Sequence, residues 1–209
     1  MPPMPPTSYT AAASAAPLVD LTAIDPPFSW RSLFGRTAPV ELEIGSGKGR
    51  FLLEAAQRWP ERDFLGVETA GRYLRRSVDR VRRAGLRNVR LARTDGRDLL
   101  TRWIPPGGLR RIHIYFPDPW PKRRHRKRRF INPPFPRWAA RALEAGGEIL
   151  IGTDHEDYFC WIQAVMGLRP GFERRYWNPL EEEWILTNYA VKWAAQGRRL
   201  YWMRYAWRG

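Results

Sequence analysis

The chain has 209 residues, 44% of them hydrophobic, with eleven tryptophans, a single cysteine and a formal net charge of +15. That length and apolar content support one sizeable core and exclude a chain too polar to fold, while the cationic surplus points to a polyanionic partner, nucleic acid above all. With Cys160 alone there is no internal disulfide and no cysteine-based metal cluster, which suits the reducing cytoplasm, and no apolar run reaches membrane-spanning length.

Met1 to Pro17 is rich in Pro, Ala and Ser, without a basic start or an apolar segment, and reads as a disordered tail rather than a secretion signal. Residues 18–209 then form one domain. Leu18 to Ala38 shows little periodicity and is expected to be irregular. Val40 to Ile44 is a short strand, followed by the tight loop Gly45-Ser46-Gly47-Lys48-Gly49 and a helix to about Trp59, with Phe51, Leu52, Ala55 and Ala56 at helical spacing. Asp63 to Val67 is a second strand ending at Glu68. Gly71 to Ala84 is a strongly basic helix stopped by Gly85. Asn88 to Ala92 is a third strand with Asp95 just beyond it, and Leu99 to Ile104 suits a short helix.

A fourth strand carries Ile112, Ile114 and Phe116 in alternation with His113 and Tyr115. Three prolines, Pro117, Pro119 and Pro121, stop it and stiffen the turn that holds Asp118. Lys122 to Arg129 follows, with seven Lys or Arg in eight residues and His125 among them. Asn132 to Ala145 is expected to be a helix ended by Gly146-Gly147, Glu148 to Gly152 a fifth strand, residues 155–167 a helix, residues 180–195 a further helix or loop, and Arg199 to Trp207 a last strand. Strands alternating with helices predict an α/β fold with a mostly parallel, twisted sheet flanked by helices.

Candidate chemistry gathers at strand ends, where open α/β sheets bind ligands. Glycines between Glu43 and Arg50 allow a sharp turn and a close backbone approach. The P-loop pattern fails at Leu42 and Gly49, and the dinucleotide fingerprint fails at Arg50. The order acid-x-Gly-x-Gly-x-Gly instead resembles the first motif of class I S-adenosylmethionine methyltransferases. Glu68 lies about twenty residues on, where an acid holds ribose hydroxyls, and Asp95 is placed to meet an adenine. Asp118 and Asp154 end the next two strands, although Asp154 also suits a helix cap. His113 and His155 read as structural and His125 as part of the basic patch; no histidine pair has metal-ligand spacing, so no metal is expected.

Phe116-Pro117-Asp118-Pro119-Trp120-Pro121-Lys122 with the basic run and His125 resembles the hallmark of the bacterial tRNA (guanine-N7)-methyltransferases, the TrmB family. Glu43-Ile44-Gly45, Gly66-Val67-Glu68, Thr153-Asp154 and Thr187-Asn188-Tyr189 fall in the family's order, over roughly Val40 to Trp207. The resemblance implies a Rossmann-like class I methyltransferase with an antiparallel last strand. It further implies a cytoplasmic monomer or homodimer that moves a methyl group from S-adenosyl-L-methionine to guanine 46 of tRNA. By position, Glu43, Gly45, Gly47, Glu68 and Asp95 resemble the cofactor-binding residues. Asp118 resembles the catalytic aspartate, and Lys122, Asp154 and Thr187 the substrate-binding residues. Arg123, Arg124, Arg126, Lys127 and Arg128 are expected on RNA phosphates. One departure stands out: the family's Glu near the end is Ala190 here, with Glu181, Glu182 and Glu183 as the nearby acids that would replace it. A non-catalytic RNA-binding protein on the same fold, or a methyltransferase of another RNA, are the alternatives.

Overall fold

Short β-rich segments separated by amphipathic helices build one mixed sheet, and the computed structural model describes it over residues 16–209. In chain order the elements are β1 (Leu18–Val19), α1 (Trp30–Phe34), β2 (Val40–Ile44), α2 (Arg50–Arg58), β3 (Asp63–Val67), α3 (Gly71–Arg83) and β4 (Val89–Ala92). Then come α4 (Gly96–Asp98), running into a π turn (Leu99–Trp103), β5 (Leu109–Tyr115), a 3-10 helix (Arg123–Arg128), α5 (Phe135–Ala142) and β6 (Leu143–Thr153). The chain closes with α6 (Glu156–Gly167), β7 (Phe172–Arg175), α7 (Asn188–Ala195) and β8 (Tyr201–Trp207).

The strand order is β1-β4-β3-β2-β5-β6-β8-β7. The first six strands in that order run parallel, while β8 is antiparallel to both β6 and β7. Strands β2 and β3 are buried along their whole length, as parallel strands covered on both faces require. One core layer packs α5, α6 and the π turn on one face around Leu42, Ile112 and Ile149. The other packs α2 and α3 around Phe51, Phe64 and Leu91.

Three expectations are corrected. The stretch from Leu18 to Ala38 is not wholly irregular: Leu18 and Val19 pair with β4, and Ser29 caps α1. The Pro17 carbonyl accepts the Leu91 N–H at 2.7 Å, so the sheet edge reaches into the end of the stretch read as a tail, whose first fifteen residues lie outside the described ones. The helix expected to run to Ala145 ends at Ala142, because Leu143 pairs with Leu109 and begins β6, with a register irregularity before Arg111. The sequence also concealed β7.

Candidate active site

The order of the sheet decides where a site forms. The chain leaves β2 towards β3 on one side and β5 leads to β6 on the other, so the crevice beyond the C-terminal ends of β2 and β5 is a topological switch point. A cavity of about 730 Å³ opens there, lined by Glu43, the glycine turn, Glu68, Asp95, Asp118 and Thr187 among others. Acids and a threonine singled out from distant parts of the sequence are thus brought together, and Gly45, Gly47 and Arg128 join them.

The wall after β2 is built from backbone. The N–H groups of Gly45 and Ser46 both donate to the Val67 carbonyl, at 2.9 and 3.0 Å, which folds the loop back over β3. Gly45, at φ +77°, has nothing within 4 Å of where a Cβ would stand, and Gly47, at φ +54°, has only the Gly45 carbonyl oxygen at 4.0 Å, so a ligand can approach the backbone here. At Gly49 a Cβ would lie 2.7 Å from Ser77 Oγ, so only glycine lets α2 start this close to α3. Glu68 reinforces the turn: its carboxylate accepts the Gly47 N–H at 2.9 Å and the Ala70 N–H at 2.8 Å. The Thr69 hydroxyl makes a third, longer contact at 3.5 Å. A carboxylate has about four acceptor positions, so one stays free for a ribose hydroxyl and a second is freed when Thr69 turns away.

Glu43 is buried, and its Oε2 has no hydrogen-bond partner. Burial, with the neighbouring Glu68 charge, pushes its carboxyl up to about 8. Asp95 caps α4, accepting the Arg97 N–H at 2.7 Å, and stays half exposed at the rim.

Beneath the cavity lies a chain of buried polar groups. Trp184 Nε1–H donates to Tyr115 Oη at 3.0 Å, Tyr115 Oη lies 3.0 Å from His113 Nδ1, and His113 Nε2 lies 2.8 Å from Glu41. Burial lowers the His113 pKa, leaving a neutral ring whose Nε2–H donates to Glu41 and whose Nδ1 accepts from Tyr115. Burial alone would raise the Glu41 carboxyl, but His113, Arg111 and Arg62 together hold it below its usual value. His113 is structural, as expected, and Tyr115 carries this support to the cavity wall.

The opposite wall is the proline turn. Phe116 and Trp120 take positive φ, +53° and +42°, which is unusual for bulky residues. Asp118 is exposed at the cavity and makes no hydrogen bond or ion pair among the described residues. Prolines do not hold this turn alone. The last cation of the basic run, Arg129, is fully buried; its Nε donates to the Pro119 carbonyl at 2.8 Å, and it pairs with Asp157 beneath the rings of Tyr158 and Trp161. Arg126 is also drawn to Asp157, at 2.9 Å. Arg123, Arg124, Lys127 and Arg128 remain exposed, with Arg128 over the Trp120 ring.

Of the residues expected to bind cofactor or substrate, two stay outside the cavity lining. Lys122 is exposed at the start of the 3-10 helix, and Asp154 pairs with Arg198 at 3.1 Å, while His155 rather than Asp154 caps α6. Thr187 lines the cavity and caps α7, its Oγ accepting the Ala190 N–H at 3.2 Å. Ala190 is fully buried at the third helical position, where a Thr-x-x-Glu capping box would place its acid. The three neighbouring acids do not take over. Glu181 accepts from Tyr176 and Asn178, Glu182 pairs with Arg204, and none of the three lines the cavity.

Strand order, switch-point cavity and antiparallel β8 define the class I methyltransferase fold. The 16S rRNA methyltransferase KamB superposes with a TM-score of 0.60 over 86% of this chain and 93% of that one, at 16% identity. A methyltransferase family profile matches residues 37–203. The chain is 40% identical to the tRNA (guanine-N(7)-)-methyltransferase of Thermus thermophilus, covering 82% of this chain but 55% of that protein. It is 34% identical to the tRNA (guanine-N(7)-)-methyltransferase of Geobacter metallireducens, covering 86% of this chain and 87% of that one. The chain belongs to the tRNA (guanine-N(7)-)-methyltransferase family, and it spans just over half the length of the Thermus relative.

Proposed function

We propose that the chain moves the methyl group of S-adenosyl-L-methionine to N7 of guanine 46 in the variable loop of tRNA, as a cytoplasmic monomer or homodimer. The observation that carries this reading is the pairing of walls: a glycine turn braced by Glu68 faces a rigid turn that presents the unpartnered Asp118 carboxylate, in a chain of this family. The residues fit an adenosyl group with an amino-acid tail. Glu68 keeps a free acceptor for a ribose hydroxyl, the open space at Gly45 and Gly47 admits close approach, Asp95 stands at the rim, and the buried Glu43 oxygen lacks a donor. When bound, the cofactor supplies an electrophilic methyl group.

Guanine N7 is a bare acceptor at the base edge. It carries no proton, so its methylation needs no strong base. The chain's task is to hold N7 in line and keep water away. Charge appears on the guanine ring as it reacts, and the fixed Asp118 carboxylate offsets it. Asp154, once exchanged from Arg198, accepts from the guanine N1–H and N2–H₂ donors, and Thr187 closes the same side. Lys122, Arg123, Arg124, Lys127 and Arg128 hold phosphates, as do the arginines of α3. Arg126 adds to them only when it leaves Asp157.

The test is transfer of tritiated methyl groups from S-adenosyl-L-methionine to an unmodified tRNA transcript, with the modified base mapped by position. One N7-methylguanine in the variable loop is expected; label in another base or another RNA overturns the assignment. The buried Ala190 favours one further reading, a tRNA-binding protein without catalysis. Cofactor and tRNA binding without any transfer would establish it.

A further inference from the structure

We infer that Phe116 and Tyr189 form an aromatic slot that grips the reacting purine between their ring faces. The inference rests on the tRNA-guanine reading above and adds to it the residues that receive the extruded base. Both side chains line the cavity beside Asp118 and Thr187. Their ring centroids lie 6.4 Å apart, with planes 29° from parallel. Stacked bases repeat about every 3.4 Å, so a ring inserted between two others needs roughly 6.8 Å. A purine enters once the exposed Tyr189 ring turns outward until the two ring planes stand that far apart.

The inner ring is fixed. Phe116 donates its backbone N–H to the Gly152 carbonyl at 2.7 Å, and its ring rests edge-on against Trp202, with centroids 5.6 Å apart at 87°. Its φ of +53° turns the side chain out of the β5 alternation; such strain persists where the surroundings over-determine it, and it clusters at functional sites. The outer ring is free: Tyr189 is 56% exposed, although it is large and largely apolar. Behind it stands Trp193, with centroids 6.4 Å apart and the Arg198 guanidinium 3.8 Å above the Trp193 ring. The start of α7 is tied to α2 through Arg50 and Asn188, at 3.3 Å.

Unstacked RNA bases are recognised by stacking on aromatic side chains, and a base withdrawn from its helix needs such a platform. The slot also favours the reaction itself. Methylation at N7 leaves the purine cationic, and aromatic faces attract cations more than neutral rings. The attraction therefore grows towards the transition state, so the slot affects rate more than affinity.

The experiment uses the full chain, Tyr189→Ala and Tyr189→Phe. For Tyr189→Ala, the single-turnover methylation rate is expected to fall about tenfold to a hundredfold, the range set by base–aromatic stacking. Melting temperature should be unchanged and tRNA affinity should stay within about twofold, since phosphates dominate it. Tyr189→Phe should recover most of the rate. An alanine variant as fast as the parent overturns the slot, as does a phenylalanine variant as slow as alanine. A second readout does not depend on methyl transfer: a tRNA transcript with 6-thioguanine in the variable loop is irradiated with the protein. Adducts are expected on the peptides bearing Phe116 or Tyr189, and adducts confined to residues 122–129 overturn the slot. If the parent methylates no tRNA while adducts form at Tyr189, the proposed activity fails and the slot stands.

Discussion

Asp118 is an exposed carboxylate of the cavity that makes no hydrogen bond or ion pair among the described residues. Glu68 holds two amides, Asp95 caps a helix, and Glu43 is buried with a raised pKa. If Asp118 served only to tie its turn to backbone donors, asparagine would replace it with little loss, but the structure shows no such bond. Asp118→Asn is therefore expected to lower the single-turnover methylation rate by about 10²–10³, with cofactor and tRNA affinities close to the parent's. A rate within a few-fold of the parent would remove it from the chemistry. Glu43 makes a different prediction. Its carboxyl sits near 8 in the folded chain, mainly through burial, against an ordinary value of 4.5. The folded state then holds a proton that the unfolded state has released between those values. Stability is fully present below about pH 4.5 and falls as pH rises through about 8. Without cofactor, urea midpoints of the parent should drop between pH 5.5 and 8.5, and those of Glu43→Gln should drop less. Parallel profiles for the two proteins would count against a buried, protonated Glu43.

The proline turn between β5 and the 3-10 helix shows what the sequence could and could not tell. Its composition marks it as rigid and acidic, and the acids at the ends of β2, β3 and β5 follow from strand periodicity alone. The anchor is not legible. Arg129 looks like the last of a run of cations, and nothing local distinguishes it from Arg128; only α6, folding back with Asp157, Tyr158 and Trp161, makes it a buried strut. The same limit applies to β6, whose first residues continue a helical pattern until Leu143 meets Leu109. It applies again to β7, four residues that find strand geometry only against β8. The strut can be tested from its exposed end. Asp157→Asn leaves the buried Arg129 guanidinium without its counter-charge, and unpaired buried charge is destabilising. A fall of a few degrees in Tm is expected, because about 1 kcal/mol moves Tm by roughly 2–4 °C at this size. The methylation rate should fall as the Pro119 carbonyl loses its fixed donor, with cofactor affinity unchanged. An unaltered Tm and rate would show that Pro117, Pro119 and Pro121 hold the turn without help.

Across the whole molecule, the surplus of positive charge is arranged on both flanks of the cavity. On one side the exposed Arg123, Arg124, Lys127 and Arg128 follow directly after the Asp118 turn. On the other, α3 carries six arginines in thirteen residues, while its Leu74, Val78 and Val81 face the core. Lys48 joins the two regions, lining the cavity and also a shallow groove with Arg76, Arg80 and Arg83. A stem-loop lying across this surface would present a base at the cavity while its phosphates met cations on either side. The arrangement predicts two separable contributions to tRNA binding. Replacing Arg123, Arg124, Lys127 and Arg128 by alanine should flatten the dependence of log K on log salt, by about 0.7–0.9 for each phosphate that is no longer neutralised. Replacing Arg72, Arg75 and Arg76 should flatten it separately, and the combined variant should show the sum of the two changes, since the two groups share no partner. Arg126→Ala should change the slope least, because its guanidinium is already paired with Asp157. Cofactor affinity should stay constant throughout. Filter binding across a salt series decides the matter: a parental slope in the α3 variant would confine the RNA to the side of the proline turn.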